Sequence, residues 1–164
     1  MRKVFVVGAL LMLLPVASAG QAPGVKSSDA TAVVKAFYAF HFSHKFDNSP
    51  RGLQLRRRWL DANLYKLLLA ELKRPTSPGD APDLDGDPFT DSQDPPSTFR
   101  IGKSTEESAK ATIEVVLVWK EKAKVFEEKK IDVDLTKTAN VWKIGNIRAD
   151  HPDGDLLQWL KRSR

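Results

Sequence analysis

The sequence contains no cysteine, and it has only three histidines and two tyrosines. The absence of cysteine excludes disulfide bonds, a lipid anchor on an N-terminal cysteine and a thiol nucleophile. The chain also contains no glycine-rich phosphate loop, no Gly-x-Ser-x-Gly motif and no Asn-x-Ser/Thr glycosylation acceptor. A domain without disulfide bonds depends on its hydrophobic core, and 164 residues are enough to form one.

The N-terminal segment has the features of an export signal. Arg2 and Lys3 precede an apolar run over residues 4–16, which ends in the small residues Ala-Ser-Ala at 17–19. This order is typical of a cleavable secretory signal peptide over residues 1–19. The apolar run is shorter than the roughly 20 residues that span a bilayer, so we favour cleavage over a retained membrane anchor.

Cleavage after Ala19 removes two basic residues and lowers the formal net charge from +5 to +3. The remaining chain is predicted to consist of a flexible leader over residues 20–28 and one domain over residues 29–164. That domain contains a long loop, rich in aspartate and proline, over residues 75–97. We therefore expect a periplasmic or secreted protein that has no transmembrane anchor after cleavage.

Three helices are predicted before the long loop. Asp29 is predicted to cap the first helix, which has an apolar stripe rich in aromatic residues, and Asp61 is predicted to cap the third. Between these helices, residues 53–59 are predicted to form a short second helix. The stripe of the first helix consists of Val33, Val34, Phe37, Phe40 and His41.

Four strands are predicted after the loop, because apolar and polar residues alternate there. A change of parity between Ile144 and Ile147 predicts a bulge near Gly145, and Asp155 is predicted to cap a final helical turn. Helices followed by antiparallel strands favour an α+β fold. We expect three N-terminal helices packed on a curved antiparallel sheet of about four strands, in a cone-like arrangement.

A set of residues occurs along the chain in an order that resembles a known family. In order, these residues are Phe37, Tyr38, Asp87, Pro88, Phe89, Gln93, Asp94 and Trp142. The pattern is similar to that of an exported bacterial family of unknown function, over about residues 29–150. The resemblance implies a fold similar to nuclear transport factor 2, the cone-shaped α+β fold. It implies no activity, since that fold carries both enzymes and binding modules.

The long loop carries an acidic series with the spacing of an EF-hand calcium site. The aspartates at loop positions one, three, five, nine and twelve are Asp83, Asp85, Asp87, Asp91 and Asp94. Pro88 occupies position six, where the calcium loop needs glycine, so we favour a solvated loop whose aspartates cap turns. Two alternatives remain, namely calcium binding and a structural role in which Asp87 and Asp94 bond to backbone amides.

Tyr38 and His41 are the candidates for a ligand pocket beside the first helix. A histidine titrates near neutral pH and suits proton transfer, but no carboxylate partner is identifiable from sequence and a packed histidine is the favoured interpretation. His41 and His44 are neighbours on a helix, whereas His151 is distant in sequence, so no histidine metal site is predicted. No catalytic residue is predicted.

Basic residues form four scattered clusters, at 56–58, 120–124, 129–130 and 161–164. Acidic residues interleave with them, so the clusters are expected to be solvated faces of helices and strands. We expect no nucleic-acid partner, while a weak attraction to an anionic component of the cell envelope stays open.

These observations favour a non-catalytic binding or accessory module of the cell envelope, because no catalytic signature is present. One alternative is a protein-interaction, inhibitor or dimerising domain, since Val116 and Val118 indicate that the second face of the sheet is covered. Another is a small hydrolase or isomerase with its site in the cone pocket. The expected partner is a small molecule or an envelope protein, with a homodimer as one option, and calcium is the only cofactor considered.

Overall fold

The computed structural model describes residues 29–75, 84, 86–151 and 154–163, and it has the predicted α+β architecture. The predicted export signal and leader, residues 1–28, lie outside the described residues. None of the helices in the described part of the chain is long and apolar enough to cross a membrane. Within these ranges the helices and strands, in chain order, are α1 (Ala30–Ser43), α2 (Pro50–Arg56), α3 (Ala62–Leu72), β1 (Thr98–Glu107), β2 (Lys110–Glu121), β3 (Lys124–Thr138), β4 (Val141–Ala149) and α4 (Leu156–Arg162).

Aspartate caps begin three of the helices, as the sequence predicts. The Asp29 carboxylate accepts a hydrogen bond from the backbone N–H two residues further on, at 2.9 Å. Asp61 and Asp155 each accept one from the backbone N–H three residues further on, at 2.6 Å and 2.9 Å. Each bond satisfies a backbone N–H that has no partner within its own helix.

Helix α2 occupies Pro50–Arg56, whereas residues 53–59 were predicted to be helical. The helix begins earlier because the Ser49 hydroxyl accepts a hydrogen bond from the Gly52 N–H at 3.1 Å. Pro50 suits the first helical position, where a missing N–H costs no hydrogen bond. The residues after Arg56 form a turn that leads into α3.

The sheet has the order β1-β2-β3-β4, with antiparallel neighbours, and it does not close on itself. The predicted bulge near Gly145 is confirmed: Asp134 pairs with Asn146 and Leu135 with Ile144, which leaves Gly145 as the extra residue. A Cβ atom at this position would lie 2.9 Å from the carboxylate that caps α3. The bulge therefore favours glycine, because a larger residue here would displace the Asp61 carboxylate at the start of α3.

The main core lies between α1 and one face of the sheet. Phe37 and Tyr38 of α1 are fully buried, as are Val133 of β3 and Ile144 of β4. Helix α1 packs against β1, β2 and β4. The aromatic stripe of α1 thus lies at the centre of the core. The same packing holds His41, a polar residue of that stripe, inside the core.

The second face of the sheet buries Val116 and Val118, as the alternation in β2 predicts. Val116 is flanked across the strands by Arg100 on one side and Lys130 on the other. Arg100 also donates a hydrogen bond to Glu128 at 2.8 Å, across the neighbouring Val118 position. Long charged side chains cover apolar surface with their stems, so this chain itself covers the two valines.

Candidate functional site

Three polar side chains from distant parts of the chain meet inside the core, and we call them the His41 network. His41 lies on α1, Arg56 is the last residue of α2, and Asp87 lies in the turn before β1. His41 Nε2 is 2.5 Å from Asp87 Oδ2, and Arg56 Nε donates to His41 Nδ1 at 2.9 Å. His41 and Arg56 are fully buried, and Asp87 is 7% exposed. The imidazole ring therefore links a buried cation to a buried carboxylate.

The Arg56 contact determines the tautomer of His41. A guanidinium N–H only donates, so His41 Nδ1 must be the acceptor and carries no proton. The proton of the neutral ring then sits on Nε2, which donates to Asp87. Both ring nitrogens are used within the network, so neither is left to take a proton from a substrate.

Asp87 also organises the turn that contains it. Its second carboxylate oxygen accepts a hydrogen bond from Phe89 N at 2.9 Å, and its carbonyl accepts one from Asp91 N at 2.8 Å. The Tyr38 hydroxyl donates to the Phe89 carbonyl at 2.7 Å. The Asp-Pro-Phe segment is thus tied to α1 through both Tyr38 and His41, which agrees with the structural alternative considered for Asp87.

Arg56 is sealed by aromatic rings and backbone carbonyls. Its guanidinium lies 5.9 Å from the centres of the Phe40 and Phe89 rings, and Nη1 donates to the carbonyls of Asp47 and Gly52. Nη2 has no hydrogen-bond partner among the described residues. Burial lowers the pKa of Arg56, and the Asp87 and Asp47 charges oppose that shift. The expectation that the cluster at 56–58 is wholly solvated is therefore wrong for Arg56.

The Tyr38 hydroxyl is held in its neutral form. Burial raises the pKa of Tyr38 above its ordinary value of 10.0, and the nearby Asp87 charge adds to the shift. Tyr38 is fully buried and its oxygen is bonded to the Phe89 carbonyl. Tyr38 and His41, the two residues predicted to face a ligand pocket, therefore both belong to the packed interior instead.

The remaining residues of the family pattern lie in two environments. Pro88 and Phe89 are buried in the turn, and Trp142 is 1% exposed in the core. Gln93 and Asp94 are exposed, and the Asp94 carbonyl accepts a hydrogen bond from the Trp119 ring at 3.1 Å. The structural alternative for Asp94 assigned its side chain a bond to a backbone amide, whereas the contact observed uses its backbone oxygen.

The aspartates proposed as calcium ligands have different partners where the structure describes them. Asp87 is directed to His41, Asp91 to Lys129, and Asp94 is exposed. Within the described ranges, no three acidic or histidine side chains are grouped closely enough to hold a metal ion. The other two members of the series, Asp83 and Asp85, lie outside the described residues, and calcium binding stays a prediction.

A second histidine–carboxylate pair lies at the rim of an open groove. His151 Nε2 is 2.7 Å from Asp91 Oδ2, and Lys129 contacts the same carboxylate oxygen. The side chains of His151 and Asp91 are 41% and 34% exposed. The groove has a volume of about 280 Å³. We call it the Trp159 groove, and the residues that define it are Pro88, Asp91, Ile147, His151, Leu156 and Trp159.

The Trp159 groove is a place where three parts of the fold meet. The turn that begins at Asp87 forms one wall, Ile147 of β4 lies in another, and α4 contributes Leu156 and Trp159. Asp91 has a φ of 50°, in the left-handed region, which aspartate tolerates better than most residues. The groove therefore depends on the same turn that the His41 network holds in place.

The sequence interpretation missed the partners of these groups for identifiable reasons. Arg56 was grouped with neighbouring arginines, although it follows Leu53 by three residues and so shares the buried face of α2. His151 lies far from the other histidines in sequence, so the sequence predicts no site that contains it. Its position directly after the last strand was the available signal, since residues at strand ends often line sites.

Comparison of the chain with protein-family models, with curated proteins and with solved structures gave no match. The function of the chain must therefore be inferred from the geometry of its own side chains, above all from the two histidine–carboxylate pairs.

Proposed function

We propose that this chain is a non-catalytic binding module of the cell envelope, which holds a small, mostly apolar ligand in the Trp159 groove. The contrast in access between the two histidine–carboxylate pairs carries this proposal. In the His41 network both ring nitrogens are engaged and the histidine is fully buried. The Trp159 groove is open and combines apolar walls with a polar rim, as ligand sites do.

The export signal predicted over residues 1–19 supports the location in the envelope. N-terminal sequencing of the protein recovered from a periplasmic extract tests it. We expect a chain that begins at Gly20. A chain that keeps its first residues and stays in the cytoplasm would contradict this part of the proposal.

We also propose that the fold is cone-like, similar to that of nuclear transport factor 2. Each of the three strand ladders contains a register shift, near Ser104, Lys120 and Leu135. Bulges of this kind bend a sheet, and α1 packs against three of its strands. A crystal structure in which the sheet lies flat, with no curvature around α1, would contradict the proposal.

The dimensions of the groove favour a ligand with one ring and one hydrogen-bonding end. Its volume of about 280 Å³ lies near the lower limit of ligand sites, which hold roughly 300–1,000 Å³. Trp159 supplies a flat apolar surface, and the Asp91 carboxylate accepts hydrogen bonds at the rim. Since Asp91 already faces Lys129 and His151, a neutral donor fits this rim better than a second charged group.

Titration with indole, a neutral ring with one N–H donor, tests the groove directly. The tryptophan ring N–H signals are followed by NMR, and we expect the Trp159 signal to shift in a saturable manner. Trp119 lines a different groove, beside Phe126, and its signal is expected to stay in place. Trp159→Ala should abolish saturable binding, while the matched variant Trp119→Ala should preserve it. Indole binding that survives Trp159→Ala would contradict the proposal.

A small hydrolase or isomerase is the second candidate, because His151 and Asp91 form an accessible pair in the groove. Release of nitrophenolate from p-nitrophenyl acetate provides the assay. If the protein only binds a ligand, the unaltered protein, His151→Asn and the control His44→Asn should all give the same rate. His44 is an exposed histidine away from the groove. A rate that falls only in His151→Asn would favour the enzyme.

A further inference from the structure

Strands β2 and β3 extend beyond the rest of the sheet. The first residue of β1, Thr98, pairs with Val118, and the last residue of β4, Ala149, pairs with Ile131. Past these pairs, β2 pairs only with β3 among the described strands, and the two form a two-stranded ribbon. At its base, Lys120 N donates a hydrogen bond to Ser97 Oγ at 3.0 Å. We call the end of this ribbon, residues 120–126, the hairpin tip.

A bulge directs an aromatic side chain outward at the hairpin tip. Val125 pairs with Lys120 and Glu127 with Trp119, which leaves Phe126 as the extra residue of β3. Phe126 is 64% exposed, more than any other large hydrophobic side chain among the described residues, and Val125 is 44% exposed. Two adjacent apolar side chains are therefore largely exposed near the end of this narrow projection, where Phe126 also lines a groove with Asp94 and Trp119.

The same tip carries three lysines and one glutamate, for a formal charge of +2. Lys120, Lys122 and Lys124 are exposed, and within the described part of the chain none of them forms an ion pair. By contrast, Lys129 and Lys130, further from the tip, are paired with Asp91 and Glu114. Three lysines without an ion pair among the described residues thus lie close together beside the two exposed apolar side chains, and the exposed Glu127 directly follows Phe126.

We propose that the hairpin tip docks on the surface of an anionic lipid bilayer. Phe126 and Val125 enter the headgroup region, and the lysines face lipid phosphates. A bilayer fits these observations because its flat surface accepts a narrow projection without a matching shape, and its interface takes both apolar and basic side chains. This inference is independent of the ligand proposed for the Trp159 groove.

Sedimentation with vesicles tests the role of charge at the hairpin tip. The protein is mixed with vesicles of phosphatidylcholine plus phosphatidylglycerol, or of phosphatidylcholine alone, both as the full chain and after removal of residues 1–19. We expect binding to the anionic vesicles only. K122E/K124E should weaken binding about tenfold or more, since each lysine near an anionic surface contributes roughly a fivefold factor. The matched variant K35E/K103E, which reverses two exposed lysines elsewhere, should bind like the unaltered chain.

A second pair of variants tests insertion of the aromatic side chain. Phe126→Ser should weaken vesicle binding about fivefold, whereas Val141→Ser, at a 38% exposed residue beside the opposite hairpin turn, should leave it unchanged. Phe126→Trp supplies a fluorophore, and we expect its emission to be quenched by brominated lipid. Comparison is always made between variants with the same N-terminus, so the apolar export signal over residues 1–19 cannot account for a difference.

Four results would overturn the proposal. One is equal binding to neutral and anionic vesicles, and another is an equal loss in K122E/K124E and K35E/K103E. A third is Phe126→Trp emission that brominated lipid does not quench. If K122E/K124E abolishes binding to single-stranded oligothymidylate but not to vesicles, the tip is a nucleic-acid surface and the lipid proposal is wrong.

Discussion

The two histidine–carboxylate pairs of this protein have nearly the same geometry and opposite surroundings. His41 lies 2.5 Å from Asp87, and His151 lies 2.7 Å from Asp91. The first pair is 0% and 7% exposed, whereas the second is 41% and 34% exposed. Each pair also has a basic third member, Arg56 in one and Lys129 in the other. A similar set of residue types therefore serves the interior in one place and the surface in the other.

The two pairs should contribute differently to stability, because removing a partner has a different energetic cost in each place. In the His41 network, water cannot replace a missing group, so an unpaired charge keeps its full desolvation cost. At the rim of the Trp159 groove, solvent screens the charges, and exposed ion pairs contribute little to stability. We therefore assign the buried pair to folding and the exposed pair to ligand binding.

The largest expected effect separates the two aspartates. Asp87→Asn leaves the buried Arg56 charge without its carboxylate and should lower the free energy of unfolding by about 3 kcal/mol. Asp91→Asn, which keeps a residue that tolerates the left-handed backbone, should cost less than about 1 kcal/mol. Urea unfolding at neutral pH gives both values.

Equal losses in the two variants would remove the basis for treating the pairs differently. Indole binding adds a second readout. Asp91→Asn should weaken it in a protein that remains stable, because the acceptor at the rim has changed. Asp87→Asn should reduce indole binding only to the extent that it lowers the amount of folded protein.

The histidines should show the same contrast with a smaller magnitude. His41→Leu replaces the ring by an apolar side chain and leaves Arg56 Nε and an Asp87 oxygen without partners, which should cost about 2 kcal/mol. His151→Leu should change stability by less than about 0.5 kcal/mol. Urea unfolding of the two variants gives both values.

The tautomer of His41 provides a test that needs no substitution. Long-range nitrogen–proton NMR spectra of the folded protein should show Nε2 protonated and Nδ1 unprotonated. A signal for protonated Nδ1 would contradict the bond from Arg56. It would also remove the argument that both ring nitrogens are engaged.

Local patterns in the sequence were sufficient for the elements that depend on neighbouring residues. The caps at Asp29, Asp61 and Asp155, and the bulge at Gly145, each follow from residues within one or two turns of chain. The α+β class followed from the change of hydrophobic period between the two halves of the chain.

The His41 network could not be predicted in the same way. Its members are 46 and 15 residues apart, and only the packing of the turn and α2 against α1 brings them together. The spacing of Arg56 from Leu53 indicates that the arginine lies on the buried face of α2, but it does not reveal which side chains meet it there. The Trp159 groove depends on three separate segments and was not predictable from any one of them.

The smallest expected effect concerns the two tyrosines, one buried and one exposed. The Tyr38 hydroxyl donates to the Phe89 carbonyl in the core, whereas the Tyr65 hydroxyl donates to the exposed Gln54. Tyr38→Phe should cost about 1 kcal/mol at neutral pH, and Tyr65→Phe should cost close to nothing. Urea unfolding of both variants tests the difference.

The cost of Tyr38→Phe should also depend on pH, in a direction set by the raised pKa of Tyr38. The unfolded chain releases the phenolic proton near pH 10.0, while the folded chain retains it to higher pH because burial disfavours the anion. The contribution of Tyr38 to stability is thus complete below pH 10.0 and is lost above it, by up to about 1.4 kcal/mol per pH unit. The free energies of unfolding of the unaltered protein and Tyr38→Phe should therefore converge as the pH rises past that value. Tyr65→Phe is the control. Curves that stay parallel to about pH 11 would show that the Tyr38 phenol ionises as easily in the folded chain as in the unfolded one.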